Sequence, residues 1–218
     1  MFPIAPEGRL FVIVTAWMAV LTLLFGYSDA GVLLLSLAIA LMLVFRDFAR
    51  RLPPAALGLV APVDGVVQSV GDATDPFSGG QAHRIVIRQR ALGEYNLHAP
   101  QEATILRRSW PGRDSDGPAD PQLAGQLGLA FETDEGQAFS VAFDLRHWPR
   151  FVRVRAVPGN RIGRGKRLGF AGFGSTVTLW VPIQSAVTAR AGQRVRAGMD
   201  LLGELPPGKA SSAEGAAT

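Results

Sequence analysis

Cysteine is absent from the 218-residue chain, which excludes disulfides, thiol nucleophiles and cysteine-held metal. Histidine is scarce. His83, His98 and His147 are the only three, and their spacing fits no zinc motif, so no metal site is expected. Charge is scarce as well: 18% of residues are charged, against roughly 25% in an average soluble domain. Hydrophobic residues make up 48%, a balance that leans towards a membrane. The net charge is +4, and arginine greatly outnumbers lysine. No arginine cluster is interleaved with aromatics as a nucleic-acid groove requires. The expected partner of the basic surface is therefore anionic lipid, not nucleic acid.

Two long uncharged runs open the chain, Leu10 to Phe25 and Val32 to Phe45, separated by "GYSDAG". Each sits near the lower limit for crossing a bilayer. A cleaved signal is disfavoured, because a second apolar run follows at once and no small-x-small cleavage site stands out. Residues 1–52 therefore read as a membrane-associated α-helical hairpin. Arg9 precedes the first run, and Arg46, Arg50 and Arg51 follow the second, while the loop carries only Asp29. The positive-inside rule places both ends, and the rest of the chain, on the cytoplasmic side of the cell (inner) membrane.

From Gly58 the hydrophobic period changes to two. "LVAPVDGVVQSV" (Leu59 to Val70), "HRIVIRQRA" (His83 to Ala91), "ATILRRSW", "RFVRVRAV" and "STVTLWVP" predict strands. "LGLAFETDEGQAFSVAFDL" predicts a hairpin turning at Asp134-Glu135-Gly136. The Gly-, Pro- and Asp-rich stretch Pro111 to Gln126 predicts a long loop, and residues 206–218 a disordered tail. "GNRIGRGKRL" (Gly159 to Leu168) repeats as "GQRVRAGMDL" (Gly192 to Leu201) at an offset of 33 residues. Such paired turns occur in lipoyl- and biotinyl-type folds. The expectation for residues 53–205 is a mainly β, compact barrel-sandwich-like domain.

Asp64 in "APVDGVV", His98 in "EYNLHAP" and Ser175 in "GFGSTV" are the candidates for chemistry. Singly, each has an ordinary structural explanation: a turn, a satisfied histidine, a strand entrance. Together with "VFRDFARRLP" (Val44 to Pro53) and "GKRLGFAGFGSTVTLWVP" (Gly165 to Pro182), they make the chain resemble the phosphatidylserine decarboxylase proenzymes of the short bacterial and archaeal type. The resemblance runs from the hairpin to about Leu205, and the segment around Gly174-Ser175 is its most specific part.

The resemblance implies autocatalytic cleavage between Gly174 and Ser175. Ser175 would attack the Gly174 carbonyl, with His98 as base and Asp64 orienting it. Elimination and loss of ammonia would leave a pyruvoyl group formed from Ser175 as the cofactor. Large and small chains would stay associated, and a homodimer is implied. The ketone would take up the amine of phosphatidylserine and accept the electrons released as carbon dioxide leaves, giving phosphatidylethanolamine. The family commonly has a histidine where this chain has Tyr95, which leaves Tyr95, Glu94 or a substrate-bound water as the proton donor for decarboxylation. Arg50, Arg51, Arg107 and Arg108 are candidates for headgroup phosphates or for solvated surface charge. The competing reading is a non-enzymatic, membrane-anchored lipid-binding or adaptor protein, which would remain a single chain.

Overall fold

The computed structural model describes residues 4–47, 50–90, 93–110, 123, 125–144, 152–171 and 175–208. The chain divides into two compact units, Met1–Ala49 and Arg50–Thr218. Composition alone set the break at residue 52. Arg50 falls with the second unit, where its side chain is also tied, as described below.

The first unit is a pair of helices, α1 (Pro6–Leu24) and α2 (Ser28–Val44), whose outer ends meet in an antiparallel bridge between Ile4 and Arg46. Pro6 opens α1, where a missing N–H costs nothing. The turn between the helices uses Gly26 at φ 84°. Small residues let the helices approach: Ala19, Gly31 and Ala38 are buried, and a Cβ on Gly31 would come within 2.4 Å of Leu23. The large apolar side chains point outwards instead, with Leu10, Trp17, Leu24 and Leu33 among the exposed residues. α1 is long and apolar enough to cross a membrane, at about 28 Å. The 17 residues of α2 reach about 26 Å, the lower limit for a span.

The second unit is antiparallel β. Its strands are β1 (Gly58–Val60), β2 (Gly65–Thr74), β3 (Gln81–Gln89), β4 (Asn96–His98), β5 (Ala103–Ser109), β6 (Gln126–Glu132) and β7 (Ala138–Asp144), followed by β8 (Val152–Val154), β9 (Arg161–Ile162), β10 (Arg167–Ala171), β11 (Thr176–Pro182), β12 (Ala186–Val187), β13 (Arg194–Val195) and β14 (Leu201–Glu204). Eight strands form one sheet in the order β13-β2-β3-β11-β7-β6-β5-β9. Two three-stranded sheets, β1-β14-β12 and β4-β10-β8, accompany it. The mainly β expectation holds, with sheets rather than a closed barrel. The hairpin turns where expected, with Gly136 at φ 75° between β6 and β7. The expected loop at Pro111 to Gln126 and the tail lie mostly outside the described residues.

Period-two alternation builds the core. Ile87, Val177, Phe143 and Leu127 stand in register across β3, β11, β7 and β6, and Ile85, Leu179, Val141 and Leu129 form the next row. All eight are fully buried. Next to Leu179 on β11, Trp180 points to the opposite face, where it meets Ala82, Leu123 and Ala142.

The 33-residue repeat forms the two edges of the large sheet, β13 and β9. The four glycines of its turns match in pairs: Gly159 and Gly192 at φ 85° and 84°, Gly165 and Gly198 both at φ 67°. Their partners on the chain match too. Gly192 N–H donates to Val67 O and Gly198 N–H to Ala61 O; Gly159 N–H donates to Ile105 O and Gly165 N–H to Ala99 O. Val67 and Ile105, like Ala61 and Ala99, are 38 residues apart. "LVAPVDGVV" (Leu59 to Val67) and "LHAPQEATI" (Leu97 to Ile105) are thus two copies of one arm. The arms clasp each other reciprocally, Val60 N–H to Pro100 O and His98 N–H to Pro62 O. Asp64 and His98 come from different arms, and this clasp brings them to one place.

Candidate active site

The site begins with three residues of one parity, Glu94, Asn96 and His98, running into and along β4. Alternation puts their side chains on one side of the chain and Tyr95 and Leu97 on the other. The contacts agree. Asn96 Nδ2 donates to Glu94 Oε1, while Tyr95 is buried edge-on against Phe170, with ring centroids 5.9 Å apart.

His98 is 6% exposed. Its Nδ1 lies 2.9 Å from Gly165 O, and a carbonyl can only accept, so Nδ1 carries the proton. Nε2 is then the nitrogen that faces the cluster. It is buried without a hydrogen-bond partner and faces Glu94 Oε1 at 3.5 Å, too far for a good hydrogen bond. With Nδ1–H held by a carbonyl and Nε2 beside a carboxylate that can support an imidazolium, the ring is oriented as a general base requires.

Asp64 lies in the same cluster but its oxygens are committed elsewhere. Arg50 donates to both of them, at 2.5 and 2.9 Å. Ala197 N–H donates to Oδ1 at 2.8 Å and Glu94 N–H to Oδ2 at 3.2 Å. Arg50 also bonds the Glu94 carboxylate, and its Nη1 donates to Ala197 O at 2.9 Å. The carboxylate beside His98 is therefore Glu94, and Asp64 acts on it through Arg50.

Burial by itself would raise both carboxyl groups. For Asp64, the hydrogen bonds from Arg50 and Ala197 outweigh burial and leave its pKa below the ordinary 3.8. For Glu94, contacts with His98, Asn96 and Arg50 do the same, leaving it below 4.5. Burial would lower Arg50, but the two carboxylates hold it above its ordinary value. Glu94 is thus ionised and ill suited to donate a proton, and Tyr95 stands on the wrong side of the strand. Of the three expected proton donors, Tyr95, Glu94 and a substrate-bound water, the geometry favours neither side chain.

Ser175 is 5% exposed and opens β11 in the middle of the large sheet. Its N–H donates to Gln89 Oε1 at 3.3 Å, and its carbonyl accepts from Gln89 N–H at 2.9 Å. Gln89 Nε2 reaches the Glu94 carbonyl at 3.4 Å. Asp64, His98 and Ser175 thus belong to one buried network, joined through Arg50, Glu94 and Gln89. Gly174, the other half of the expected break, lies outside the described residues with Gly172 and Phe173; so does His147.

Three residues of this network escaped the sequence reading in these roles. Arg50 stood among headgroup candidates, Glu94 was a proton donor, and Gln89 was not singled out. One signal for Gln89 existed: it follows Ile85 and Ile87 on the inward face of β3, where a polar residue needs a partner. Of the other arginines, Arg107 donates to Phe77 O and lies over its ring, and Arg108 donates to Ala156 O at 3.0 Å. Arg51 is exposed.

The chain is similar to known proteins over most of its length. The family model for phosphatidylserine decarboxylase matches residues 78–203, which hold Gln89, Glu94, His98 and Ser175. The phosphatidylserine decarboxylase proenzyme of Symbiobacterium thermophilum is 32% identical over 209 residues, covering 93% of this chain and 96% of the relative. Those of Geobacter metallireducens and Paraburkholderia xenovorans are 29% and 27% identical. They cover 94% and 93% of this chain, and 97% of each relative. No solved structure matches. With the family model matched over more than half of its length and a relative 32% identical over 93% of it, the chain belongs to the phosphatidylserine decarboxylase family.

Proposed function

We propose that this protein is a membrane-associated phosphatidylserine decarboxylase that matures by breaking its own Gly174–Ser175 bond. One observation carries the reading. His98 presents a buried Nε2 3.5 Å from the carboxylate of ionised Glu94, in the same network as a buried serine at the head of a strand.

In the first stage His98 Nε2 takes the proton of Ser175 Oγ as the oxygen bonds to the Gly174 carbonyl carbon. Glu94 stabilises the resulting imidazolium, and Arg50 with Asp64 holds Glu94 in place. As the Gly174–Ser175 C–N bond breaks, His98 returns the proton to the departing nitrogen, leaving an ester at Oγ. Loss of the residue 175 Cα proton and of the Gly174 carboxylate gives dehydroalanine. Water then replaces its nitrogen, which leaves as ammonia.

The pyruvoyl group left at position 175 supplies an electron sink for the amine of the phosphatidylserine headgroup while carbon dioxide departs. The residues present fit such a group. Position 175 is desolvated, its former nitrogen faces a neutral amide, and a proton carrier stands in the same network. His98, rather than Tyr95 or Glu94, returns a proton to the product from Nε2. The small chain would begin with β11, which pairs with β3 on one side and β7 on the other, so the two chains stay together through the sheet. The hairpin would keep the unit at the bilayer surface, and the arginines that flank it support a position on the cytoplasmic side.

Intact-mass measurement of the purified protein tests this. Two chains are expected, the smaller starting at residue 175 with a blocked N-terminus, and Ser175→Ala should remain a single chain. Wild-type protein that stays intact, or mature protein that releases no carbon dioxide from phosphatidylserine in liposomes, would overturn the reading.

A further inference from the structure

The N–H of Ser175 belongs to the amide that is to break, and it does not take the partner its strand offers. β11 and β3 pair in register from Pro182↔Ala82 to Thr176↔Arg88. One residue further, Gln89 N–H donates to Ser175 O at 2.9 Å. An antiparallel pair of this kind returns the second bond, from Ser175 N–H to the Gln89 carbonyl. Here the Gln89 side chain intercepts it, with Oε1 3.3 Å from the Ser175 nitrogen. The other end of the same carboxamide, Nε2, donates to Glu94 O at 3.4 Å. Gln89 is 3% exposed, so water cannot substitute for either partner.

We propose that Gln89 is the positioning residue for the self-cleavage, a role that rests on the reading of Gly174–Ser175 as the scissile bond. By accepting from the scissile N–H while donating to the Glu94 carbonyl, its carboxamide fixes the plane of that amide relative to the residue whose side chain supports His98. Both bonds lie at the long end of the hydrogen-bond range, so neither locks the nitrogen when it must leave. Few side chains can accept at one atom and donate at the other while neutral. An ionised carboxylate only accepts, and a thioether does neither well.

Cleavage kinetics of the full chain, made by cell-free synthesis into liposomes and followed by gel and intact mass, test the proposal. Wild type, Gln89→Met, Gln89→Glu and Ser175→Ala are compared, with thermal melting as the check on folding. Gln89→Met should slow cleavage by at least about tenfold at every pH. Gln89→Glu should be slow at about pH 8, and its rate relative to wild type should rise towards about pH 5.5. Burial and the facing Glu94 favour protonation of the new carboxyl, Arg50 and His98 beyond Glu94 oppose it in part, and only the protonated form both accepts and donates. Taking the ratio at each pH cancels the titrations the two proteins share. A purely structural role leaves that ratio flat with pH. A flat ratio, or a folded Gln89→Met that cleaves within about twofold of wild type, overturns the proposal. If Gln89→Met does not fold, the Gln89→Glu ratio decides. Wild type that never cleaves defeats the underlying reading instead, and the role of Gln89 with it.

Discussion

The two arms of the β unit share backbone, glycines and hydrogen bonds, yet only one set of positions carries the chemistry. Counting by the 38-residue offset, the counterparts of Glu94, His98 and Asp64 are Ala56, Val60 and Glu102. The first set is buried around Arg50. Of the second, Val60 is fully buried, while Ala56 and Glu102 line a cleft of about 480 Å³ where Glu102 and Asp134 pair with an exposed Arg161. Arg50 belongs to neither arm. It comes from the segment just after the helical unit and fills the space that the other side leaves open. A symmetric scaffold becomes an active site once one added cation allows two carboxylates to be buried as ions.

The sharpest way to break that comparison is to remove the cation. Arg50→Met leaves Asp64 and Glu94 buried and unpaired. Orphaning one side of a buried ion pair costs about 3–5 kcal/mol, on the order of 10 °C in melting temperature for a unit of this size. Self-cleavage should fall with it, since Glu94 loses its anchor. Combining Arg50→Met with Asp64→Asn and Glu94→Gln should recover much of the melting temperature but not the cleavage. Calorimetry in a Ser175→Ala background keeps the stability reading free of chain cleavage.

Acid separates the same effects more finely. Both carboxylates have folded pKa values below their ordinary 3.8 and 4.5, against burial that would raise them. Their stabilisation is therefore complete above those ordinary values and is lost as the pH falls below them, through the lower folded values. In Arg50→Met the bonds from Ala197 and Glu94 N–H to Asp64 remain, as do the contacts of Asn96 and His98 with Glu94. Burial is opposed less, so the loss should begin at a higher pH than in the parent as the pH falls. Melting temperature followed from neutral to acid pH should show the two onsets in that order. Coincident onsets would mean that Arg50 does not hold the carboxylates ionised.

Why some of this could be read from the sequence and some not follows from range. The helical hairpin and the strands repeat locally, at helical length or period two, and a window of ten residues reveals them. Asp64, His98 and Ser175 sit in short motifs with family-specific neighbours. Arg50 looks like one of several arginines beyond an apolar run, and nothing local says that it turns inwards to meet residues 14 and 44 positions later. Glu94 was visible as a carboxylate, but which carboxylate faces His98 depends on how two arms 38 residues apart clasp. The weaker arm repeat was overlooked because only three of its nine positions are identical, Leu59/Leu97, Ala61/Ala99 and Pro62/Pro100.

The matched glycines give a smaller contrast. Gly165 and Gly198 share φ 67°, so alanine at either position carries the same left-handed strain of about 1–3 kcal/mol. Their surroundings differ. A Cβ at Gly198 meets nothing closer than His98 Nδ1 at 3.7 Å, an ordinary contact. A Cβ at Gly165 would come within 2.2 Å of Leu52, and the carbonyl of Gly165 is what holds His98 Nδ1. Gly165→Ala should therefore slow cleavage about tenfold and Gly198→Ala only about threefold or less, with similar losses of melting temperature. Equal slowing would show that both turns serve His98 alike.

The smallest effect is expected where the comparison is least forgiving. Arg161 makes two ion pairs, as Arg50 does, but its side chain is 57% exposed and its partners Glu102 and Asp134 are 53% and 59% exposed. Pairs in such surroundings contribute about 0–1 kcal/mol and weaken with salt. Arg161→Met should shift the melting temperature by at most about 4 °C, less at high ionic strength, and leave cleavage unchanged. A shift as large as that of Arg50→Met would mean that the number of ion pairs, not their burial, sets the difference between the arms. A small shift places the difference in desolvation, because the two arginines then differ chiefly in how much water their carboxylates keep.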